Sequence, residues 1–432
     1  MEQLREKPVP YSIWGASYIE PSAIDQMERA ARLPIAVRGV LMPDAHTGYG
    51  LPIGGVLATE NAVIPYAVGV DIACRMRLTV FNVSPHILGQ KRDKFRKAIE
   101  DNTCFGAGGE LSVRQDHPVM QDPTFNELDI ARDLKDLAWR QLGSSGSGNH
   151  FVEFGTLIVH EDIVGDESDV GEGSRTFGNI PSGKYLALLS HSGSRGLGFQ
   201  IANHFTQIAM SQHPELPKEY KHLAWLDMNS YWGQAYWRAM QLAGRYASAN
   251  HAIIHRRITE ALRLEVLGGV ENHHNFAWQE EHDGRTLYVH RKGATPANLG
   301  VYGVIPGTMR DAGFVVRGKG NTDALYSASH GAGRQFSRQQ AYKRFEWDEV
   351  ERQLKKHGVE LLSASLDETP GAYKNIRNIM AAQEDLVDIV GEFQPLLVKM
   401  DADKHHRRRN KATKKSSKKR ARRQSMQDDW ME

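Results

Sequence analysis

The sequence predicts a mixed α/β (α+β) fold, built as one compound domain. Three observations predict it. Short apolar, β-branched runs end repeatedly in Gly-rich loops that carry Asp, Cys or His. Between these runs lie stretches with apolar residues three and four apart, the spacing of surface helices. No repeat of fixed period and no Pro/Gly linker divides residues 1–400. The 432 residues are enough for one large or two ordinary domains, and the absence of a linker favours one.

Composition narrows the function classes. At 40% hydrophobic residues a sizeable core is available. No apolar run approaches the roughly 18 residues of a membrane span, and the polar N-terminus lacks a signal region. Two cysteines in dissimilar contexts, Cys74 and Cys104, argue for a reducing compartment, hence a cytoplasmic protein. The net charge of +2 conceals an asymmetry. The first 400 residues hold 42 basic and 47 acidic residues, a net −5, while residues 401–432 hold 12 basic and 5 acidic.

In chain order, Ser22 to Arg32 is a predicted helix, with Pro21 near its start and Pro34 past its end. Val40 to Gly55, too rich in Gly and Pro for a simple element, is predicted as a loop presenting Asp44 and His46. Val63 to Val80 is predicted as a buried strand, within which Asp71 and Cys74 stand three apart. A thiolate and a carboxylate can share a metal there if the strand bends. Gln90 to Glu100 and Phe125 to Leu142 are predicted helices. A Gly/Ser turn then delivers Asn149 and His150 into a strand. Lys184 to Ser190 is a strand that ends at His191, and a helix is expected near 197–211. Leu226 to Leu267 is a long amphipathic helix whose aromatic residues are core. Its His251 and His255 have the spacing of a metal pair but no third ligand type nearby, which favours a packed helix face. His274 follows in E-N-H-H-N-F, then strands at Thr286–His290 and Gly300–Ile305. Helices are expected at Ser337–Lys356 and Asn375–Val390, with an apolar close at Gln394–Lys399.

The stretch Ser327 to Arg334, S-A-S-H-G-A-G-R, draws the others together. Small residues after His330 let an anion approach the backbone, and Arg334 adds a cation suited to phosphate. His330 could act as nucleophile, metal ligand or base. Asp71, Cys74, His150, His191, His274 and His330 all fall at strand ends or Gly-rich turns. They form a ligand set for a first-row divalent metal, in one closed site or two open ones. Ligand softness alone suggests zinc. Walker A, G-x-G-x-x-G, H-E-x-x-H and G-x-S-x-G motifs are absent.

These motifs resemble those of the RtcB RNA ligases over about residues 10 to 400. The resemblance rests on M-P-D-A-H-T-G-Y-G-L-P-I-G-G (Met42 to Gly55), G-V-D-I-A-C (Gly69 to Cys74) and G-S-G-N-H-F (Gly146 to Phe151). It continues through H-S-G-S-R-G (His191 to Gly196), H-H-N (His273 to Asn275), R-K-G-A (Arg291 to Ala294) and P-G-T-M (Pro306 to Met309). H-G-A-G-R (His330 to Arg334), A-Y-K (Ala372 to Lys374) and V-K (Val398, Lys399) complete it, in the family's order.

The resemblance implies a single compound domain around a two-metal cleft. It implies GTP- and manganese-dependent joining of an RNA 3′-phosphate or 2′,3′-cyclic phosphate end to a 5′-hydroxyl end, in tRNA splicing or RNA repair. His330 would become guanylylated, and Asp44 would orient it. Asp71, Cys74, His150, His191 and His274 would hold two manganese ions, with Cys74 as a bridge. Asn149, His150, Phe151, Val152, Glu153, His274, Asn275, Pro306, Gly307, Thr308, Met309, His330, Gly331, Ala332, Gly333 and Lys399 would surround the guanylate. An activating or repair-pathway protein is compatible with it. Two departures stand out: Gly313 occupies a position where relatives commonly place a serine, and a basic tail follows Lys399.

Two other readings compete: a metal-dependent nucleotidyl hydrolase or phosphatase on the same scaffold, and an RNA-binding protein acting through its tail. Retention of His330 and Lys399 disfavours the first, and the intact catalytic-type positions disfavour the second. Residues 1–400 are therefore expected to form the catalytic domain and 401–432 a basic disordered tail, read as an RNA tether in preference to a solubilising tail, with a nuclear-localisation signal also fitting K-K-R-A-R-R.

Overall fold

The computed structural model describes residues 4–166 and 174–402. The expected tail, 401–432, lies outside the described residues from position 403 onward. A five-stranded sheet runs in the order Tyr11–Ile13, Ala36–His46, Ile53–Thr59, Arg285–Lys292, Asn275–His282. A ten-stranded sheet runs Tyr302–Ile305, Gly313–Gly318, Val387–Met400, Phe151–Val159, Gly183–Ser192, Arg75–Phe81, Val266–His273, Ser174–Ile180, Ile163–Asp166. Its tenth strand, Glu360–Ser363, pairs in parallel with Val387–Met400.

The chain passes from the large sheet to the small one at His274. Val266–His273 belongs to the first and Asn275–His282 to the second. The His274 N–H donates to the Cys74 carbonyl at 3.0 Å, and its carbonyl accepts from Gly293 N–H at 2.8 Å. That crossing is therefore fastened to both neighbours. Across the large sheet, Met400 pairs with Phe151, Phe151 with His191, and His191 with Met76. This register brings the ends that carry His150, His191 and Cys74 to one edge, beside the His274 crossing.

A 32-residue helix, Tyr231–Leu262, supports the large sheet. The Ser230 side chain caps its start by accepting from Gly233 N–H, and Arg263 ends it in the left-handed region at φ 54°. Ile254, Ile258 and Leu262 pack with Val152, Phe154, Leu186 and Leu188 of the strands. His251 and His255 lie on this buried face. Both approach Ser190 Oγ at 2.8 Å, and His255 also meets Thr79 Oγ1 at 2.7 Å. They join helix to sheet, as the packed-face reading expects. No helix among the described residues is long and apolar enough to cross a membrane.

Several element assignments need correction. Val40 to Gly55 is not one loop: a strand runs to His46 and another begins at Ile53, leaving only 47–52 between. Ala36–His46 is bonded on both edges, to Tyr11–Ile13 and Ile53–Thr59, so pairing overrides its Gly and Pro content. Val63 to Val80 is interrupted by a helical turn at Pro65–Val68, and its strand starts at Arg75. Helix Asn375–Val390 stops at Ala381, because Val387 enters a 14-residue strand between two partners. Ser337–Lys356 is two helices, Arg338–Arg344 and Trp347–Lys356, and Phe125–Leu142 is likewise broken at Leu128. Strands Ser174–Ile180, Val266–His273, Asn275–His282 and Gly313–Gly318 were not anticipated as such.

One buried ion cluster fixes the centre of the large sheet. Glu271, 1% exposed, pairs with both Arg75 and Arg77 and accepts from Ser248 Oγ at 2.7 Å. Burial alone would raise its pKa, but the two guanidinium groups hold it well below the ordinary carboxylate value. The sign follows directly. A carboxylate with a depressed folded pKa stabilises the fold above its unfolded pKa, and that contribution fades as pH falls through the folded value. Glu271→Ala leaves two nearly buried cations unpaired. It should cost about 3–5 kcal/mol in a denaturant titration at neutral pH, with the gap to wild type narrowing as the pH is brought below the ordinary carboxylate range.

Candidate active site

The turn 69–74 places Asp71 and Cys74 together. Gly69 adopts φ +103° after the Pro65–Val68 turn, and Ala73 sits at φ +56°. The Cys74 N–H donates to the Asp71 carbonyl at 3.1 Å, closing a tight turn. Ala73 N–H is held by the Asn275 carbonyl at 2.7 Å. Asn275 Nδ2 donates to the Asp71 carbonyl at 3.1 Å, while its Oδ1 accepts from Gly293 N–H at 2.8 Å. Asp71 Oδ1 accepts from Ser194 N–H at 3.2 Å. Gly193 is required beside it, since a Cβ there would lie 2.2 Å from Asp71 Oδ1.

Around Cys74 Sγ the donor atoms converge. His191 Nε2 is 3.0 Å away and His150 Nε2 3.4 Å. His191 Nε2 lies 3.2 Å from His274 Nε2, and His150 Nε2 lies 3.0 Å from Asp71 Oδ2. Two three-donor groups result, Cys74–His191–His274 and Asp71–Cys74–His150, with Cys74 common to both. His191 Nδ1–H donates to the Asn149 carbonyl at 3.2 Å, which leaves the Nε2 lone pair facing inward.

The electrostatics suit a cation. Burial drives His191 and His274 well below the ordinary imidazole value, so both imidazoles are neutral at neutral pH. Asp71 is pulled down to about 2: burial opposes this, but its hydrogen bond and charge interaction with His150 prevail. Burial, then the Asp71 charge, pushes the Cys74 thiol well above its usual range. A thiolate there would need a nearby cation. The Nε2 atoms of His191 and His274, 3.2 Å apart, can share one proton or one metal ion. The residues present therefore fit a divalent metal cofactor.

His330 follows the short strand Ser327–Ser329, which pairs with Ala294–Pro296. Its Nδ1–H donates to Asp44 Oδ2 at 2.7 Å, and the same oxygen accepts the His330 and Gly331 N–H groups. Asp44 is fully buried. Burial would raise its pKa, but His330 and then Lys374 hold it below the ordinary value, as a carboxylate. Lys374 Nζ donates to the carbonyls on both sides of Asp44, Pro43 at 3.2 Å and Ala45 at 2.7 Å. The His330 and His274 rings are 5.0 Å apart, so the pair borders the donor cluster.

Both features open on a cleft of about 1250 Å³. Asn149, Phe151, Glu153, His274, Pro306 to Met309 and His330 to Gly333 line it. Burial holds the Glu153 carboxyl well above the carboxylate range. Gly313 also lines the cleft, so no side chain projects from that position. Val152 turns to the opposite face of its strand and packs with Phe154 and Ile254. Asn275 braces the Asp71 turn instead of lining the cleft. Lys399 is likewise directed away. Strand alternation puts Val398 and Met400 on the cleft side, while Lys399 Nζ reaches Thr103 Oγ1 at 2.9 Å. Arg334 is committed to protein partners, the Asp367 carbonyl at 2.8 Å and Glu368 Oε2 at 3.3 Å, and so braces the His330 loop.

The family model described as tRNA-splicing ligase RtcB matches residues 26–128 and 115–401. The chain belongs to the RtcB family of RNA ligases. It is 32% identical over 420 residues to the RNA-splicing ligase RtcB of Escherichia coli (strain K12), covering 90% of this chain and 97% of the relative. It is 33% identical over 445 residues to the RNA-splicing ligase RtcB of Mycobacterium tuberculosis, with 86% and 99% covered. The tRNA-splicing ligase RtcB of Methanococcus maripaludis is 31% identical over 436 residues, with 84% and 87% covered.

Within this RtcB chain, sequence reasoning missed residues that act through others. Lys374 clamps both sides of Asp44, Gly193 gives room to the Asp71 carboxylate, and Gly333 gives room to the Asp44 backbone. The A-Y-K, H-S-G-S-R-G and H-G-A-G-R motifs hold all three, with Gly333 read there only as a guanylate contact, but which backbone a lysine or glycine meets is a tertiary fact. Gly333 adopts φ +73°, and a Cβ there would lie 2.1 Å from the Asp44 carbonyl oxygen. Gly333→Ala must strain the turn or move Asp44. We expect a loss of about 1–3 kcal/mol in a denaturant titration.

Proposed function

We propose that this RtcB ligase uses GTP and manganese to join an RNA 3′-phosphate or 2′,3′-cyclic phosphate end to a 5′-hydroxyl end. The observation that carries the reading is the His330–Asp44 pair beside the Cys74 donor cluster. With Nδ1–H committed to Asp44 Oδ2 at 2.7 Å, the lone pair of His330 lies on Nε2. Asp71, Cys74, His150, His191 and His274 are the proposed manganese ligands. Two ions bound there would neutralise charge developing on phosphate oxygens.

His330 Nε2 attacks the α-phosphorus of GTP. A P–N bond forms and pyrophosphate leaves. Asp44 stabilises the positive imidazole produced, without taking its proton. A cyclic phosphate end is first opened by water to a 3′-phosphate. That 3′-phosphate oxygen next attacks the same phosphorus, breaking the P–N bond and returning neutral His330. The 5′-hydroxyl then attacks the RNA 3′-phosphate, its proton is lost, and GMP departs. Asn149, Phe151, Glu153, Pro306, Gly307, Thr308, Met309, Gly331, Ala332 and Gly333 are proposed to surround the guanylate. Val152, Asn275 and Lys399 are left out of this proposal, because their side chains pack with Phe154, hold the Asp71 turn and reach Thr103.

The test is incubation with α-labelled GTP and Mn²⁺ followed by denaturing electrophoresis. Wild type should carry covalent label, and His330→Ala should carry none while keeping its circular dichroism spectrum. Label retained on His330→Ala would overturn the assignment. Asp44→Asn can present an amide N–H to Nδ1 and so favour the wrong tautomer. Its labelling rate should fall by on the order of 10²–10⁴. Cys74→Ala removes the donor common to both groups, and metal analysis should show loss of both manganese equivalents. Two equivalents retained would exclude a bridging role.

A further inference from the structure

The cleft is larger than one guanylate requires. Its volume of about 1250 Å³ exceeds the roughly 300–1,000 Å³ of ordinary small-ligand pockets. Beyond the proposed guanylate residues, its wall continues through Tyr18, Glu20, His46, Thr47 and Tyr49. Of the exposed large hydrophobic side chains among the described residues, two line the cleft: Tyr18 at 39% and Tyr49 at 69% exposure.

Tyr49 stands at the tip of the short 47–52 connection, yet its backbone is fastened on both sides. Thr47 N–H donates to Glu20 Oε1 at 2.7 Å. Gly48 exchanges two hydrogen bonds with the Gln26 amide, at 2.6 and 3.0 Å. The buried Lys292 Nζ donates to the Tyr49 carbonyl and, at 3.0 Å, to that of Leu51. Gly50 at φ +68° presses against the His222 carbonyl, which a Cβ would approach to 2.6 Å. The Tyr49 ring meets Tyr66 and His222 edge-on, at interplanar angles of 89° and 66°. Edge contacts fix the ring and leave it mostly solvent-accessible.

An exposed aromatic costs nothing to leave mobile, so a loop fastened at this many points calls for another reason. A rigid, accessible ring on the wall leading to a phosphoryl-transfer centre is a stacking platform for a nucleobase, since every base presents a π-face. We propose that Tyr49 stacks on a nucleobase near the end of an RNA strand, and so seats that end before His330. The proposal rests on the ligase reading and adds to it the residue that holds the RNA.

The experiment compares full-length wild type, Tyr49→Ala, Tyr49→Phe and Tyr49→Leu. Labelling by α-labelled GTP and Mn²⁺ without RNA should be equal in all four. Anisotropy titrations use two short RNAs, one with a 3′-phosphate and one with a 5′-hydroxyl end. Affinity of Tyr49→Ala should fall for one of them by roughly five- to a hundred-fold. Tyr49→Phe should match wild type and Tyr49→Leu should resemble alanine. The RNA affected identifies the strand that stacks. An abasic nucleotide at that position should erase the difference between wild type and Tyr49→Ala. Affinities within twofold for both RNAs would overturn the proposal, as would full rescue by leucine. A wild type that takes no label would instead fail the GTP reading, and the binding ratio would still decide on Tyr49.

Discussion

Four donor atoms crowd around one buried thiol, and the rest of the structure serves to keep them there. Cys74 Sγ, three imidazole Nε2 atoms and an Asp71 oxygen have too few protons among them for every one to be satisfied by another. Neighbouring lone pairs at 3.2 Å repel unless one proton or a cation lies between. Such a group has no stability of its own in a low-dielectric interior. The backbone must impose it, and does so through strand register. His150, His191 and Cys74 sit at ends of neighbouring, register-locked strands. His274 arrives from the crossing between sheets, fastened to the Cys74 carbonyl.

The same logic separates the His330 side of the site. His330 follows a short strand outside the five- and ten-stranded sheets, and its position depends on Asp44. Asp44 depends in turn on Lys374, which spans the carbonyls of Pro43 and Ala45. The centre thus has two supports that meet at the His274–His330 contact. One is set by the register of the large sheet. The other is set by a chain of charged hydrogen bonds rooted in the small sheet.

Much of the site was legible because its residue types are unusual where they occur. A histidine or cysteine at the end of an apolar run, beside glycines, has few structural reasons to be there. Hence Asp71, Cys74, His150, His191, His274 and His330 could be singled out, and their motif order pointed to one family. His251 and His255 could be set aside because no third ligand type stood near. Lys399 and Val152 show where such reading fails. Motif membership places a residue near the site, but strand alternation decides which face its side chain takes. A one-residue step exchanges Val398 and Met400 for Lys399.

Element boundaries failed for a related reason. Val40 to Gly55 and Asn375 to Val390 were misassigned because their local composition was outweighed by hydrogen-bonding partners far away in sequence. By itself, the sequence determined the chemistry available: the donor types, the histidine proposed as nucleophile, the small residues that follow it, and the family. Only the tertiary structure decided that Cys74 serves two donor groups, that Arg334 and Asn275 brace instead of binding, and that Lys399 faces away. The reason is physical. Residue type is local, whereas register and the crossing between two sheets are set by contacts between segments hundreds of residues apart.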